Sequence, residues 1–408
     1  MKEHTMRNNG SVLVAAGAAV ALALTACGGG STGGTTAVAT QGGFTPPKLA
    51  ALDKLGEPEG EVNVLAWPGY VEDGSNDKAV DWVSAFEKDS GCQVNVKTFG
   101  TSDEAVQLMR TGQYDVISAS GDATLRLIAG GDVEPMNTSL ITNYADIFDS
   151  LKNQPWNSVN DVAYGVPHGR GANLLMYRTD KVTPAPDSWS VVFDGGSKYK
   201  GAVTAYDSPI YIADAALYLK ATKPELGIKN PYALDAKQLQ AAVDLLTAQK
   251  ANVGEYWSDY LKQVQAFKAG ASVVGTTWQV IANVAVGEKA PVAVVLPKEG
   301  STGWSDTWMV GAKSKNKTCG YRLIDHIVSP KANAQVAEYF GEAPANRKSC
   351  AMTTDPKHCD TFHAADEEYF AKVAYWTTPI PQCLDGRTEV TCTDYAEWTK
   401  AWTAVRNS

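Results

Sequence analysis

Short apolar runs alternate with helix-spaced apolar positions along most of this chain. Val62 to Leu65 is an apolar run of strand length, and Val94 and Val96 alternate within a strand over residues 93–99. Asn76 and Asp77 are placed to cap a helix whose Ala79, Val83 and Phe86 share one face and which stops at Gly91. Ser102 caps a helix with Ala105, Leu108 and Met109 inward and Gly112 as its stop. Residues 115–119 form a third strand, and Leu125 and Ile128 lie on a helix closed by Gly130 and Gly131. The pattern repeats further on. Strands are predicted over 203–206, 272–276 and 292–296. Helices are predicted over 212–221, from the Asp235 cap onward, over 260–269, and in a last set near 320–340, 363–373 and 393–405. Strand–helix–strand alternation predicts mostly parallel sheets with right-handed crossovers. The expected architecture is α/β, with two lobes and a chain that passes between them more than once.

The N-terminus follows different rules. Lys2 and Arg7 precede an apolar run from Val12 to Leu24, too short for a comfortable membrane span, which reads as the core of a secretory signal peptide. It ends in Leu24-Thr25-Ala26-Cys27, which resembles a bacterial lipobox, in which the cysteine is lipidated and becomes the new N-terminus. Residues 1–26 are therefore expected to be the leader. Residues 27–48 are expected to be a lipidated Cys27 followed by a Gly-, Ser- and Thr-rich tether that cannot bury apolar area. The protein is expected to be exported and anchored at the outer face of the cell membrane, with no other contact with lipid.

Setting Cys27 aside, six cysteines remain, an even number that suggests three disulfides in an exported protein. Closeness in sequence favours Cys350–Cys359 and Cys383–Cys392, which leaves Cys92–Cys319. A zinc site of Cys350, Cys359, His358 and His363 is the rival, but its spacing fits no common finger pattern.

Composition narrows the partners. The 408 residues are 44% hydrophobic and 20% charged, as in folded globular chains. The formal charge is −9 with no Lys/Arg cluster, which argues against nucleic acid and is consistent with a cationic or neutral small ligand. In open α/β sheets ligands sit beyond the carboxyl ends of strands. The residues after the predicted strands are Trp67-Pro68-Gly69-Tyr70, then Ser118, Ser120 and Asp122, then Asp207-Ser208, Trp278-Gln279, and Trp304-Ser305-Asp306. Indole faces attract an alkylammonium at about 0.5–2 kcal/mol per contact. Carboxylates add charge-assisted hydrogen bonds to its ends. Any one of these tryptophans could equally be core packing, and Asp207 could equally be a helix cap.

Ala66-Trp67-Pro68-Gly69-Tyr70-Val71, Tyr164-Gly165-Val166-Pro167, Gly275-Thr276-Thr277-Trp278 and Leu296-Pro297-Lys298-Glu299-Gly300 before Trp304-Ser305-Asp306 together carry a resemblance. Lys313 to Asn316 and Ser329-Pro330 extend it. From about residue 60 to 347 the chain resembles the spermidine/putrescine-binding solute-binding proteins of ABC importers. The resemblance implies a two-lobed, type II periplasmic-binding-protein-like clamp that closes on a ligand and delivers it to a membrane permease. Lobe 1 is expected to comprise 60–167 plus 306–347, and lobe 2 168–305 plus 348–405. By the same resemblance Trp67, Tyr70, Trp278 and Trp304 form an aromatic box, Asp306 holds one ammonium, and Asp207 is the acidic partner from the second lobe.

Three departures bear on the ligand. Ile210 and Tyr211 stand where the family often has a Glu. Ser120-Gly121-Asp122 replaces an aromatic loop. His168-Gly169-Arg170 follows Val166-Pro167, where the family commonly has an aromatic residue. Asp122 is a candidate substitute carboxylate. Arg170 next to a polycation would repel it, so it pairs with Asp122 or Asp207, or else the ligand carries a carboxylate, as 4-aminobutyrate does. No nucleophile elbow, Walker loop or dinucleotide fingerprint is present. The sequence reading is a monomeric binding protein for a small amine ligand, with permease subunits as partners, no cofactor, no metal and no enzymatic chemistry.

Overall fold

The computed structural model describes residues 46–195 and 197–408; the leader, Cys27 and nearly all of the tether lie outside the described residues. Two five-stranded sheets and a third, smaller sheet between them organise the chain. In the first sheet the order is Gln93–Thr98, Glu61–Ala66, Val116–Ala119, Thr307–Val310 and Val166–Pro167. The first three strands are parallel, and Thr307–Val310 runs antiparallel to both its neighbours. The second sheet runs Val253–Trp257, Val203–Tyr206, Val274–Thr277, Leu174–Arg178 and Val292–Val295, again three parallel strands followed by antiparallel pairings. The sheets are thus mixed rather than mostly parallel. The strands that carry the chain from one half to the other have to run back against those built from βαβ units.

The third sheet orders Ala343–Pro344, Gly169–Ala172, Ser301–Trp304 and Val373–Tyr375. Three of its strands continue passages out of or into the first half. Gly169–Ala172 follows Val166–Pro167. Ser301–Trp304 precedes Thr307–Val310. Ala343–Pro344 follows the helix Pro330–Phe340.

Local chemistry explains where elements start and stop. Thr101, one residue before the expected cap, accepts from the Glu104 N–H at the head of Ser102–Arg110. Asp235 caps Ala236–Gln249 with a full capping box, its partner Gln238 reaching back to the Asp235 N–H. The helix expected from Asn76 begins only at Ser84, because Asp81 accepts from the Val83 and Ser84 N–H groups and caps it there. The helix expected over 363–373 is replaced by one turn at Glu367–Phe370 and the strand Val373–Tyr375. The edge strand Gln93–Thr98 is largely exposed, whereas Val116–Ala119, Val203–Tyr206 and Val274–Thr277 are buried throughout.

The cysteines pair as Cys92–Cys319, Cys350–Cys359 and Cys383–Cys392. With Cys350 and Cys359 bonded to each other, the zinc alternative has no thiolates. Among the described residues no helix is long and apolar enough to cross a membrane.

Candidate functional site

The loop that leaves Glu61–Ala66 turns at Gly69, whose φ of +94° suits glycine. The turn sends Tyr70 into the interior, where it is fully buried. Its hydroxyl donates to Asp306 Oδ2 at 2.8 Å, and the Ser120 hydroxyl donates to Asp306 Oδ1 at 2.6 Å. Ser120 ends the strand Val116–Ala119, and Asp306 lies in the passage between Ser301–Trp304 and Thr307–Val310. The structure therefore joins three chain segments at one carboxylate that is only 3% exposed. Burial pushes the Asp306 carboxyl up to about 6 against the pull of both hydroxyls; Glu342 raises it further and His168 lowers it.

A cavity of about 10 Å³, the size of one water, remains beside Asp306. Trp67, Tyr70, Ser120, Trp278, Trp304, Phe340 and Trp376 complete its wall. Trp67 and Trp278 meet edge to face at 5.5 Å. Trp304 lies edge-on to Phe340 at 5.5 Å and flat against Gly171, where a Cβ would come within 2.5 Å of the indole.

A second cavity of the same size lies on the other side of Trp278 and Trp376, which line both. Its acid is Asp214, in the first turn of Ile212–Thr222, which accepts from the Thr302 hydroxyl at 2.9 Å. Burial pushes the Asp214 carboxyl up to about 7. Asn173, Tyr206, Trp257 and Thr276 also line this cavity. The Asn173 Oδ1, Tyr206 hydroxyl, Thr276 Oγ1 and the Trp257 and Trp376 indole nitrogens are buried without hydrogen-bond partners. Buried polar atoms are normally paired, so this concentration marks a place built for a polar guest. Thr302, which donates to Asp214, and Trp304, which lines the Asp306 cavity, sit two residues apart on one strand, and Asp306 follows, so one segment reaches both acids.

Outside the Asp306 cavity opens a cleft of about 720 Å³ that shares Trp67, Trp278 and Phe340 with it. Glu72, Glu104 and Asp259 line the cleft, and among the described residues no Lys, Arg or His does.

Six expected site residues thus come together: Trp67, Tyr70, Ser120, Trp278, Trp304 and Asp306. Three do not. Asp207 accepts from the Arg406 guanidinium at 3.0 and 3.2 Å and from the Trp402 indole at 3.2 Å, on the C-terminal helix Tyr395–Asn407. That pairing satisfies it away from both cavities. Asp122 accepts from the Ser102 hydroxyl at 2.8 Å, its other oxygen is buried without a partner, and burial raises it to about 7; it lines neither cavity. Arg170 is paired with Glu367 at 2.8 Å, donates to the Ala364 carbonyl and lies 3.8 Å over the Phe370 ring. Its partner is Glu367, not the expected Asp122 or Asp207, and it offers no anchor for a ligand carboxylate.

Asp214, Trp376, Phe340, Tyr206, Trp257 and Asn173 are residues the sequence reading missed. Asp214 stands one element beyond the strand end, in the helix that follows it. Trp376 does follow a strand, Val373–Tyr375, but the sequence reading predicted no strand there.

The sequence pattern of the bacterial extracellular solute-binding proteins matches residues 81–364, more than half of the chain. The spermidine/putrescine-binding periplasmic protein of Escherichia coli (strain K12) is 27% identical over 284 residues, covering 69% of this chain and 76% of that protein. A putative spermidine/putrescine ABC transporter from Listeria monocytogenes superposes with a TM-score of 0.70 at 18% identity, covering 85% of this chain and 99% of the other. The PBP MotA from A. tumefaciens B6, solved in complex with glucopine, superposes with a TM-score of 0.65 at 18% identity, over 85% and 99% of the two chains. The two halves joined by repeated passages form a two-lobed, type II periplasmic-binding-protein-like fold. The chain belongs to the bacterial extracellular solute-binding protein family and is similar in sequence to spermidine/putrescine-binding periplasmic proteins.

Proposed function

We propose that this protein captures a small amine with two cationic ends and presents it to the permease of an ABC importer. The observation that carries this reading is a pair of buried carboxylates, Asp306 and Asp214, that have hydroxyl donors but, among the described residues, no Lys or Arg partner. A buried anion without a countercharge is expensive, and a bound ammonium removes that penalty. One ammonium sits at Asp306 between the Tyr70 and Ser120 oxygens. The other sits at Asp214, where Asn173 Oδ1 and Thr276 Oγ1 are further acceptors. The methylenes lie against Trp278 and Trp376.

The commitment of Arg170 to Glu367 favours a pure cation over a zwitterion such as 4-aminobutyrate. In this reading residues 60–167 plus 306–347 and 168–305 plus 348–405 are the two lobes. Ligand binding shifts an open–closed equilibrium, because only the closed form brings both acids to one guest. The cation-free acidic cleft is the entry route. The protein works as a monomer at the outer face of the membrane, held there by lipid on Cys27.

Calorimetric titration of the purified chain with putrescine, spermidine and 4-aminobutyrate tests this. Micromolar or tighter binding of a polyamine supports it. Binding of 4-aminobutyrate alone overturns the dication reading while leaving the transport role.

A further inference from the structure

Behind Asp306 lies a second pair of ionisable groups that no contact with the cavities explains. His168 falls between Val166–Pro167 and Gly169–Ala172 and is fully buried. Its ring lies on that of Tyr70 with centroids 3.9 Å apart. The Trp308 indole donates to His168 Nδ1 at 2.9 Å, so Nε2 carries the proton of the neutral ring. That nitrogen faces Glu342 Oε1 at 3.2 Å, close but poorly aligned, and neither Glu342 oxygen meets a well-aligned donor. Glu342 is 1% exposed and starts the third passage, just before Ala343–Pro344. Its carboxyl group fits only because residue 169 is glycine; a Cβ there would come within 2.6 Å of it.

The main chain locks the same place. The His168 N–H donates to the Asp306 carbonyl at 2.9 Å, and the His168 carbonyl accepts from Asn333 Nδ2 at 2.8 Å and from the Ala345 N–H at 3.3 Å. All three passages therefore meet at this pair. The ionisable groups around the Glu342 carboxyl are Tyr70, Asp306 and His168. His358 meets the Glu342 carbonyl, and Arg170 turns away to Glu367.

We propose that Glu342 is a positioning residue for charge. Its carboxylate, held by His168 one side-chain layer behind Asp306, sets the ionisation of Asp306 and hence the pH range over which the site takes a cation. The second half of this statement rests on the cation reading above; the first does not. A second carboxylate in a dry interior opposes the ionisation of Asp306, with the Tyr70 hydroxyl between them. An arriving ammonium relieves both, so Glu342 adds to the attraction without touching the guest.

The test is carboxyl ¹³C NMR of the ligand-free full chain. In Glu342→Gln the Asp306 midpoint falls by about one pH unit, because a like charge is gone. In His168→Phe, which keeps a ring on Tyr70 but removes the N–H facing Glu342, the midpoint moves as well, because Glu342 loses the donor that holds its charge. Glu342→Asp restores most of the wild-type value. Loss in Glu342→Gln with rescue in Glu342→Asp is not what a merely structural pair would give. With putrescine as probe, Glu342→Gln binds several-fold more weakly than wild type at pH 8, and the deficit shrinks towards pH 5. An Asp306 midpoint unmoved in Glu342→Gln overturns the proposal. If Glu342→Gln does not fold, an unmoved midpoint in His168→Phe overturns it equally. If no amine binds the wild type, the cation reading fails, and the NMR arm still decides the coupling.

Discussion

Asp306 and Asp207 follow strands in much the same way, yet they live in opposite chemistries. Asp207 is partly exposed and held by the Arg406 guanidinium and the Trp402 indole. Asp306 is buried and held by two neutral hydroxyls, and its carboxyl is pushed up to about 6. A carboxylate with a guanidinium partner is complete, whereas one buried with hydroxyls alone is under-compensated and open to a cationic guest. The difference lies in what surrounds each acid, and neighbours in sequence do not reveal it.

The widest break in the comparison is Asp306→Asn. A charge-assisted hydrogen bond becomes neutral, a loss of about 1.5–3 kcal/mol, or roughly ten- to a hundred-fold weaker putrescine binding by calorimetry. An unchanged affinity would remove Asp306 from the site. Asp214→Asn should weaken a diamine by a comparable or somewhat smaller factor but spare a monoamine such as butylamine. Equal losses for both would mean that the two cavities do not serve the two ends of one guest. Trp278→Ala should weaken binding by about 1–2 kcal/mol, since one ring face is lost from both cavities. A large fall in the ligand-free melting temperature without lost affinity would instead make Trp278 a packing residue. Smallest of all, Asp207→Asn should leave affinity within about two-fold and lower stability by at most about 1 kcal/mol, as for a partly exposed pair.

Acidity sharpens the same contrast. The folded-state values of Asp306 and Asp214, about 6 and about 7, lie above the ordinary carboxylate range. Between roughly pH 4 and 7 the folded chain therefore holds protons that the unfolded chain has lost, and their contribution to stability falls as pH rises. The ligand-free protein should gain more melting temperature on going from pH 7 to 5 than the Asp306→Asn/Asp214→Asn double variant does. Putrescine affinity should fall over the same interval. Equal thermal shifts in the two proteins would show that neither acid is perturbed.

Much of the fold was legible because parallel βαβ units leave local marks. Apolar runs, Gly91 after one helix and the Asp235 cap before another depend on neighbours in sequence. The antiparallel passages were not legible, since pairings such as Thr307–Val310 with Val116–Ala119 span nearly two hundred positions. Of the residues expected directly after strands, Trp67, Tyr70, Ser120, Trp278, Trp304 and Asp306 line one cavity. Asp214 escaped because a helix turn returns it to the strand ends, and Trp376 because its three-residue strand Val373–Tyr375 carries too short a pattern to be predicted. Arg170 and Asp207 misled because their partners, Glu367 and Arg406, lie 197 and 199 residues away.

The Cys92–Cys319 bridge joins positions 227 residues apart, one before and one after everything that forms the second five-stranded sheet. That whole sheet is therefore a loop closed covalently at its neck. A single proteolytic cut anywhere within the loop leaves both fragments attached, so a nicked molecule can keep its two halves facing each other until a reductant arrives.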